Sequence, residues 1–288
     1  MIPIWSKGYG SITHTPGSYW HDIGAEDYRS FECVRDMVLN IHQGLPKEAI
    51  MWINLKISSS RENNDISKLV RILPELGDRE FVVISTDGDN PIPSSVENFQ
   101  TLLDHKPLRI WYTQNYDGTV QHPKLKAIPI GFDLHSLCKN FDEMVAVKKK
   151  YLKNHRAGIV LDNMSISNTD RWIAKVIASK IEKVTKLERT TQQRLWRNYC
   201  QYKYGISPHG NGLDCHRTWE MLYFGMIPVV KTSSLDVLYD GLPVVILERW
   251  EQLRDLVERE SSESRSDSTI SNSPPCWDTR YWISDKDI

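Results

Sequence analysis

The chain has 288 residues, a length that suits two domains or one large α/β domain. Its 40% hydrophobic and 25% charged residues exclude a chain that is mainly disordered. Five cysteines without a C-x-x-C motif argue against a disulfide framework and a zinc knuckle. The sequence shows neither a signal peptide nor an apolar stretch long enough to cross a bilayer, so we expect a cytoplasmic protein without a membrane span.

Charge is unevenly distributed along the chain, although the net charge is only −1. Residues 148–217 carry 15 basic against 5 acidic side chains. This excess is expected to attract an anionic ligand to the C-terminal half. Because the whole chain is near neutral and shows no recognisable nucleic-acid module, a small phosphorylated ligand is favoured over nucleic acid.

The first half alternates apolar runs with helix-like segments. Runs of β-branched and aromatic residues, each ending in turn residues, predict buried strands at 49–57, 81–86, 108–115 and 126–135. Helical patterns over 62–76 and 95–105 lie between them. Such alternation predicts a parallel, doubly wound sheet.

The same alternation restarts after a lysine-rich helix at 144–155. Further strands are predicted at 157–163, 203–210, 227–233 and 242–248. A helix over 168–184 is expected to begin at a cap on Asn168 or Thr169. We therefore predict two α/β domains, 1–145 and 146–257, followed at 258–288 by a linker and tail for which fold analogy suggests a return to the first domain.

One short segment, 207–230, gathers polar residues ahead of a buried helix: "SPHGNGLDCHRTWEMLYFGMIPVV". Gly210 and Gly212 predict a turn that uses positive φ, and Asp214 is placed to cap the helix that follows. The spacing of Cys215, Trp219, Leu222 and Met226 predicts one buried stripe, with His216, Arg217 and Glu220 on the other side.

A strand, a glycine turn and a helix start together suit an anion, because the first helical N–H groups are unpaired. Arg217 in the first turn is suited to phosphate oxygens, and Glu220 one turn deeper to the two hydroxyls of a ribose. The alternative is a solvated Arg217–Glu220 pair beside an ordinary loop. Neither a G-x-G-x-x-G nor a P-loop motif is present.

The same segment resembles the C-terminal signature of exostosin-like glycosyltransferases, in which a Pro-x-Gly turn precedes an Arg, an acidic residue and a Gly-x-Ile-Pro-Val strand. The likeness continues through "KTSSLDVLYDGLPVVILERWEQL" and includes "NYDGTVQHPKLKAIPIGFDLHS", so that it covers roughly residues 110–255. Within the family it is strongest to virus-encoded β-xylosyltransferases of chlorella-like algae. The cellular members' membrane anchor and lumenal disulfides have no counterpart here, which favours a cytoplasmic, virus-type setting.

The resemblance implies a GT-B fold, with two Rossmann-like domains whose parallel sheets face a central cleft. It also implies an inverting transfer from a nucleotide sugar, often without a bound metal. Arg217 would contact the donor diphosphate and Glu220 the ribose, with the turn residues lining the same pocket. These turn residues are His209, Gly210, Asn211 and Gly212. Asn168 and Arg171, at a second helix start, are further candidates for the diphosphate.

The first half offers candidates for the catalytic base and the acceptor site. Asp87 and Asp89 follow a predicted strand, where open α/β sheets place their ligands. They can be read as a D-x-D metal pair, a solvated turn or part of the acceptor site, and His14 is a rival base. His21 and the residues of "YTQNYDG" complete the predicted acceptor set. The latter are Asn115, Tyr116 and Asp117, which equally suit a capped turn.

The sequence therefore predicts an inverting glycosyltransferase, with acceptor binding in 1–145 and nucleotide-sugar binding in 146–257. The resemblance points to UDP-xylose as donor and a glycan hydroxyl as acceptor, with fucose of a viral capsid N-glycan as the specific candidate. We expect no metal cofactor. Two alternatives stay open: a metal-dependent D-x-D transferase, and a non-catalytic module that binds a nucleotide or glycan.

Overall fold

The computed structural model describes residues 1–15, 30–57, 64–134, 140–152, 156–162, 164–262 and 275–283. Contacts between residues divide the chain into two compact units. The first unit comprises Met1–Ile130 together with Cys276–Ile288, and the second comprises Gly131–Pro275.

The first unit is built on a parallel sheet of four strands in the order β1-β2-β3-β4. The strands are β1 (Met51–Lys56), β2 (Phe81–Thr86), β3 (Leu108–Thr113) and β4 (Leu125–Ala127). Each lies within a predicted strand or overlaps one. All six residues of β2 are buried, because β2 is covered on both faces and has a strand on either side.

Helices and the C-terminal tail cover this first sheet. The helices are α1 (Ser6–Gly10), α2 (Phe31–Gly44), α3 (Asp65–Ile72) and α4 (Phe99–Asp104). One sheet face packs with residues of α2, α3 and α4, and the other packs with Tyr9 of α1 and with Ile283. In the tail, where α10 spans Thr279–Trp282, Thr279 N–H donates to the carbonyl of Ile2 at 2.8 Å.

The second unit contains a parallel sheet of five strands in the order β6-β5-β7-β8-β9. The strands are β5 (Ile159–Leu161), β6 (Val184–Lys186), β7 (Tyr204–Ile206), β8 (Ile227–Lys231) and β9 (Val245–Leu247). The helices are α5 (Phe141–Tyr151), α6 (Thr169–Ser179), α7 (Gln192–Tyr199), α8 (His216–Tyr223) and α9 (Leu253–Ser262). The predicted α/β class with two parallel sheets is confirmed.

Three features of the second unit differ from the sequence prediction. The helix predicted over 168–184 ends at Ser179, because Val184 pairs with Ile159 as part of the unpredicted strand β6 and is buried. Helix α7 was not predicted. Helix α9 is held in the core by Leu253, Leu256 and Val257 and continues to Ser262, beyond the predicted start of the linker at 258, where Glu260 pairs with Lys203 at 2.7 Å.

The two units meet in the chain at Ile130 and Gly131, whereas the sequence suggested a boundary near 145. Aromatic packing explains why α5 belongs to the second unit. The ring of Tyr223 in α8 lies 5.3 Å from that of Phe132 and 5.5 Å from that of Phe141, measured between centroids. Within the described residues, no helix is both long and apolar enough to span a membrane.

Candidate functional site

The carboxyl ends of the strands in the second unit bring several polar segments to one edge of the sheet. Asp162 follows β5, and Ser207 follows β7. Helices α6 and α8 begin after the loops that leave these two strands. Ligands of open parallel sheets bind at such edges, so this edge is the expected position of a binding site.

Asn168 is the N-cap of α6, as predicted, and its side chain accepts a hydrogen bond from Arg171 N–H at 2.9 Å. Its Nδ2 also donates to the carbonyl of Gly210. Arg171 is only 9% exposed and donates from Nε to the carbonyl of His209 at 2.7 Å and from Nη1 to that of Ser165 at 3.2 Å. The start of α6 therefore holds the loop that follows β7.

The turn itself differs from the prediction, because neither Gly210 nor Gly212 has positive φ. Side chains fix the loop instead: besides the bonds from α6, His209 Nδ1 lies 2.8 Å from the carbonyl of Leu213. Asn211 is exposed.

Asp214 does not cap α8, contrary to the prediction. The helix starts at His216, and its N-cap is Cys215, which makes no capping bond through its side chain. Asp214 is buried, and its carboxylate accepts from the indole Nε1 of Trp219 at 2.9 Å and from Cys215 N–H at 2.8 Å, which compensates its burial. His216 turns towards the carbonyl of Gly131, 2.8 Å from its Nδ1.

Arg217 forms an ion pair inside the second unit. Its Nε donates to Oδ2 of Asp162 at 2.6 Å, and the hydroxyl of Tyr199 donates to the same oxygen at 2.9 Å. Although burial lowers the pKa of Arg217, the negative charge of Asp162 raises it overall. Burial, reinforced by Asp162, raises the pKa of Tyr199. Oδ1 of Asp162 is buried and has no hydrogen-bond partner.

The thiol of Cys215 brings the two arginines together. Its sulfur lies 3.6 Å from Nη1 of Arg217 and 3.8 Å from Nη2 of Arg171. Arg171 donates to carbonyl groups, a hydroxyl and this thiol, and no carboxylate of the described residues forms an ion pair with it. Two guanidinium groups with a shared neighbour at a helix start form an arrangement that suits a phosphate.

Glu220 is buried, at 4% exposure, although the sequence placed it on the face of α8 away from the core. Its Oε2 accepts from Nε1 of Trp196 at 3.1 Å and from Nε2 of Gln192 at 3.0 Å. Both donors belong to α7, a helix that was not predicted from the sequence. Packing of α7 against α8 therefore encloses the carboxylate.

A bridge of polar groups at the same edge was not predicted from the sequence. Asp170 accepts from the indole of Trp250 at 2.8 Å and from Nζ of Lys231, at the end of β8, at 3.5 Å. Its other oxygen accepts from His209 N–H at 3.4 Å. Asp162 and Lys231 lie at the ends of predicted strands, so their position in the sequence could have indicated that they belong to this edge. Gln192 and Trp196 have no such feature in the sequence.

At the carboxyl edge of the first sheet, two residues that are not glycine hold a left-handed backbone conformation. Asp87 has φ 61° and Asn115 has φ 53°. Asp87 N–H donates to Oε1 of Gln114 at 3.0 Å, and Asn115 Nδ2 donates to the carbonyl of Gly88 at 2.6 Å. A Cβ on Gly88 would lie 1.9 Å from the carbonyl oxygen of Ile57, so this position requires glycine.

The remaining predicted acceptor residues of this edge build the neighbouring turn. The carboxylate of Asp117 accepts from Ser94 N–H at 3.0 Å and from the hydroxyl of Thr119 at 2.6 Å. Burial alone raises the pKa of Asp117, but these hydrogen bonds lower it overall. The hydroxyl of Tyr116 donates to the carbonyl of Val120 at 2.7 Å. In the structure these residues build a capped turn, one of the two interpretations that the sequence left open.

His14 is not brought to this edge. Its N–H donates to the carbonyl of Trp52, near the amino end of β1, and its Nδ1 accepts from Trp52 N–H, each at 3.0 Å. Trp52 lies four residues before Lys56, which pairs with Thr86, and four residues of strand span about 13 Å. With Nδ1 as an acceptor, the proton of a neutral His14 is on Nε2, and burial lowers the pKa of the ring. His21 lies outside the described residues.

A metal site was one interpretation of Asp87 and Asp89. Over the parts of the chain that the structure describes, no three or more His, Cys, Asp or Glu side chains are grouped so that they could hold a metal ion. Asp89 is exposed.

No protein-family model and no curated protein sequence matches the chain. Solved structures of trehalose-phosphate synthases resemble it over 82% of its length. The apo structure of OtsA has a TM-score of 0.46 and 11% identity, and the match covers 70% of that chain. The protein from E. coli bound with UDP-2-fluoro glucose has a TM-score of 0.45 and 10% identity, with 70% of that chain covered.

The α,α-trehalose-phosphate synthase from Burkholderia xenovorans in complex with glucose-6-phosphate has a TM-score of 0.46, with 7% identity and 71% of that chain covered. Likenesses at this level carry no argument about the substrate or the activity of this chain. The parallel pairing of its own strands establishes the fold class.

Proposed function

We propose that the chain is a glycosyltransferase whose second unit binds a nucleoside-diphosphate sugar. The observation that carries the proposal is the convergence of Arg171 and Arg217 on the sulfur of Cys215, at the start of α8. A buried guanidinium whose partners are neutral, such as Arg171, favours an anionic ligand. The exostosin-like signature includes the same helix and supports a nucleotide sugar as that anion.

The two arginines have different tasks in this proposal. Arg217 is held by Asp162 through Nε, and its Nη1 contacts the sulfur of Cys215. Arg171 is held by backbone carbonyls. Fixed cations and helix N–H groups stabilise the charge that develops on a leaving diphosphate without reorganisation during the reaction.

The finer assignments belong to the same proposal. We infer that the donor is UDP-xylose and that transfer inverts the anomeric carbon in a single displacement without a metal ion. The acceptor is a glycan hydroxyl, with fucose of a viral capsid N-glycan as the candidate that the resemblance supports. The first unit binds the acceptor, and Asp87 or Asp89 is the base that takes the proton from its hydroxyl.

Calorimetric titration of UDP, UDP-xylose and UDP-glucose, each with and without EDTA, tests the proposal. We expect UDP to bind without metal and UDP-xylose to bind more tightly than UDP-glucose. Incubation with UDP-xylose and fucosides, analysed by NMR, would then give the configuration of the product. Absence of UDP binding would contradict the proposed site, and binding that EDTA abolishes would favour the metal-dependent alternative.

A further inference from the structure

The carboxylate of Glu220 accepts a hydrogen bond from the half-buried side chain of Gln192. Trp196 Nε1 and Gln192 Nε2 both donate to its Oε2. Trp196 is fully buried, whereas Gln192 is half-buried at the first position of α7. Of these two donors, Gln192 is the one that can leave the carboxylate without opening the core.

A ribose hydroxyl that donates to Oε2 of Glu220 would take the place that the amide of Gln192 holds. Both groups donate one hydrogen bond to a carboxylate oxygen, so the number of bonds is conserved when one replaces the other. The released amide of Gln192 can be hydrated, because the side chain is partly exposed. The exchange therefore costs the nucleotide the net free energy of one hydrogen bond, because it must displace the amide before the bond to Glu220 forms.

We propose that Gln192 is a competing donor that a ribonucleotide displaces from Glu220, and that it thereby sets the affinity of the site for the ribose. This inference rests on the proposed nucleotide site in the second unit. Gln192 then lowers the affinity for a ribonucleotide, whereas a binding residue would raise it. Removal of the Gln192 side chain is therefore expected to strengthen the binding of a ligand that carries ribose hydroxyls.

The test compares UDP with 2′,3′-dideoxy-UDP, which lacks both ribose hydroxyls, by calorimetric titration into the native protein and Gln192→Ala. An exchange that costs the equivalent of one hydrogen bond predicts that UDP binds about three- to tenfold more tightly to Gln192→Ala. The affinity for the dideoxy nucleotide is expected to stay unchanged. Gln193→Ala is the matched control, because Gln193 is the next residue of α7, is exposed, and bonds to Glu143 instead.

The outcomes separate this inference from the proposed function. If the native protein binds no UDP, the proposed nucleotide site is wrong and the inference falls with it. If UDP binds but Gln192→Ala weakens it, leaves it unchanged, or changes both nucleotides equally, only the inference is overturned. Gln192→Met keeps most of the side chain without its donor, and it repeats the test if the alanine variant unfolds at a lower temperature.

Discussion

The carboxyl edges of the two sheets use their polar side chains differently. In the first unit, Asn115, Tyr116 and Asp117 bond mainly to the backbone of nearby turns. In the second unit, charged groups pair with one another or with indoles inside the protein, as Arg217 does with Asp162. The first edge uses uncharged or half-buried polar groups to fix turns, with Asn115 fully buried among them, whereas the second edge buries charged groups, which need partners. The second edge is therefore the better candidate for binding a charged ligand.

The largest expected effect concerns the buried ion pair of the second unit. Arg217→Met leaves Asp162 buried without its cation, and we expect the free energy of unfolding to fall by about 3–5 kcal/mol. Urea denaturation measures it. The matched change in the first unit is Arg35→Met, which breaks an exposed pair with Glu75 and is expected to leave the free energy of unfolding nearly unchanged, because water screens the pair.

Equal losses in these two variants would show that the second edge does not depend on buried charge. The double variant Arg217→Met/Asp162→Leu removes both partners of the pair. It is expected to recover most of the lost stability, since no charge is then left unpaired.

Next in size is the effect of Arg171 on the affinity for UDP. Arg171→Ala is expected to weaken UDP binding by about tenfold or more, equivalent to about 1.4 kcal/mol, because a fixed cation is lost beside the phosphates. Calorimetric titration measures the dissociation constant. Arg79→Ala is the control, since Arg79 also donates to backbone carbonyls, those of Pro46 and Ala49 in the first unit. A similar loss of affinity in both variants would argue against a specific phosphate site.

A smaller effect is expected at the first edge, where Asn115 anchors the Asp87–Asp89 turn. Asn115→Gly keeps the left-handed backbone but removes the bond to the carbonyl of Gly88, at an expected cost of about 1–2 kcal/mol in urea denaturation. Asn98→Gly makes the same substitution at φ 52° and at an exposed residue without a side-chain capping bond. It is expected to change stability by about 0.5 kcal/mol at most. Equal losses of stability in Asn115→Gly and Asn98→Gly would mean that the hydrogen bond from Asn115 to the carbonyl of Gly88 does not stabilise the turn.

The smallest effect concerns the tail of the first unit. Hydrogen bonds from Arg280, opposed in part by burial, lower the pKa of Asp278, which also caps α10 and accepts from Ile2 N–H at 3.3 Å. A lowered pKa means that this stabilisation is complete above the ordinary pKa of an aspartate, about 4, and is lost as the pH falls below it. Asp278→Ala is expected to cost about 1 kcal/mol or less at pH 7.

The difference between native protein and Asp278→Ala should then shrink as the pH falls below about 4, as thermal unfolding at several pH values would reveal. Asp255→Ala, at an exposed position of α9, serves as the control. A difference in stability between the native protein and Asp278→Ala that grows at low pH would contradict the stabilising role of the Asp278 carboxylate.

Local patterns in the sequence predicted much of the fold. The apolar run at 81–86 gave β2 without error, and Asn168 caps α6 because its short side chain reaches the first turn. The run at 168–184 was predicted as one helix because its periodicity continues, and only pairing of Val184 with Ile159 shows the strand. Pairing across some 25 residues leaves no trace in a local pattern.

The candidate site was predicted in part. The segment around Arg217 was found from the sequence because a turn, a helix start and an arginine occur together. The burial of Glu220 was not predicted from the sequence, since no feature of the sequence places Gln192 and Trp196 of α7 against α8.

The sequence by itself determined the alternation of strands and helices, the parallel sheets and the positions of residues at strand ends, because these follow from short-range periodicity and capping. Only the tertiary structure decided which charges are buried and which groups compensate them. That Asp162 holds Arg217, that Cys215 joins Arg217 to Arg171 and that α7 encloses Glu220 all depend on contacts between segments distant in the chain. Such contacts form because a buried charge must find a partner wherever the fold provides one.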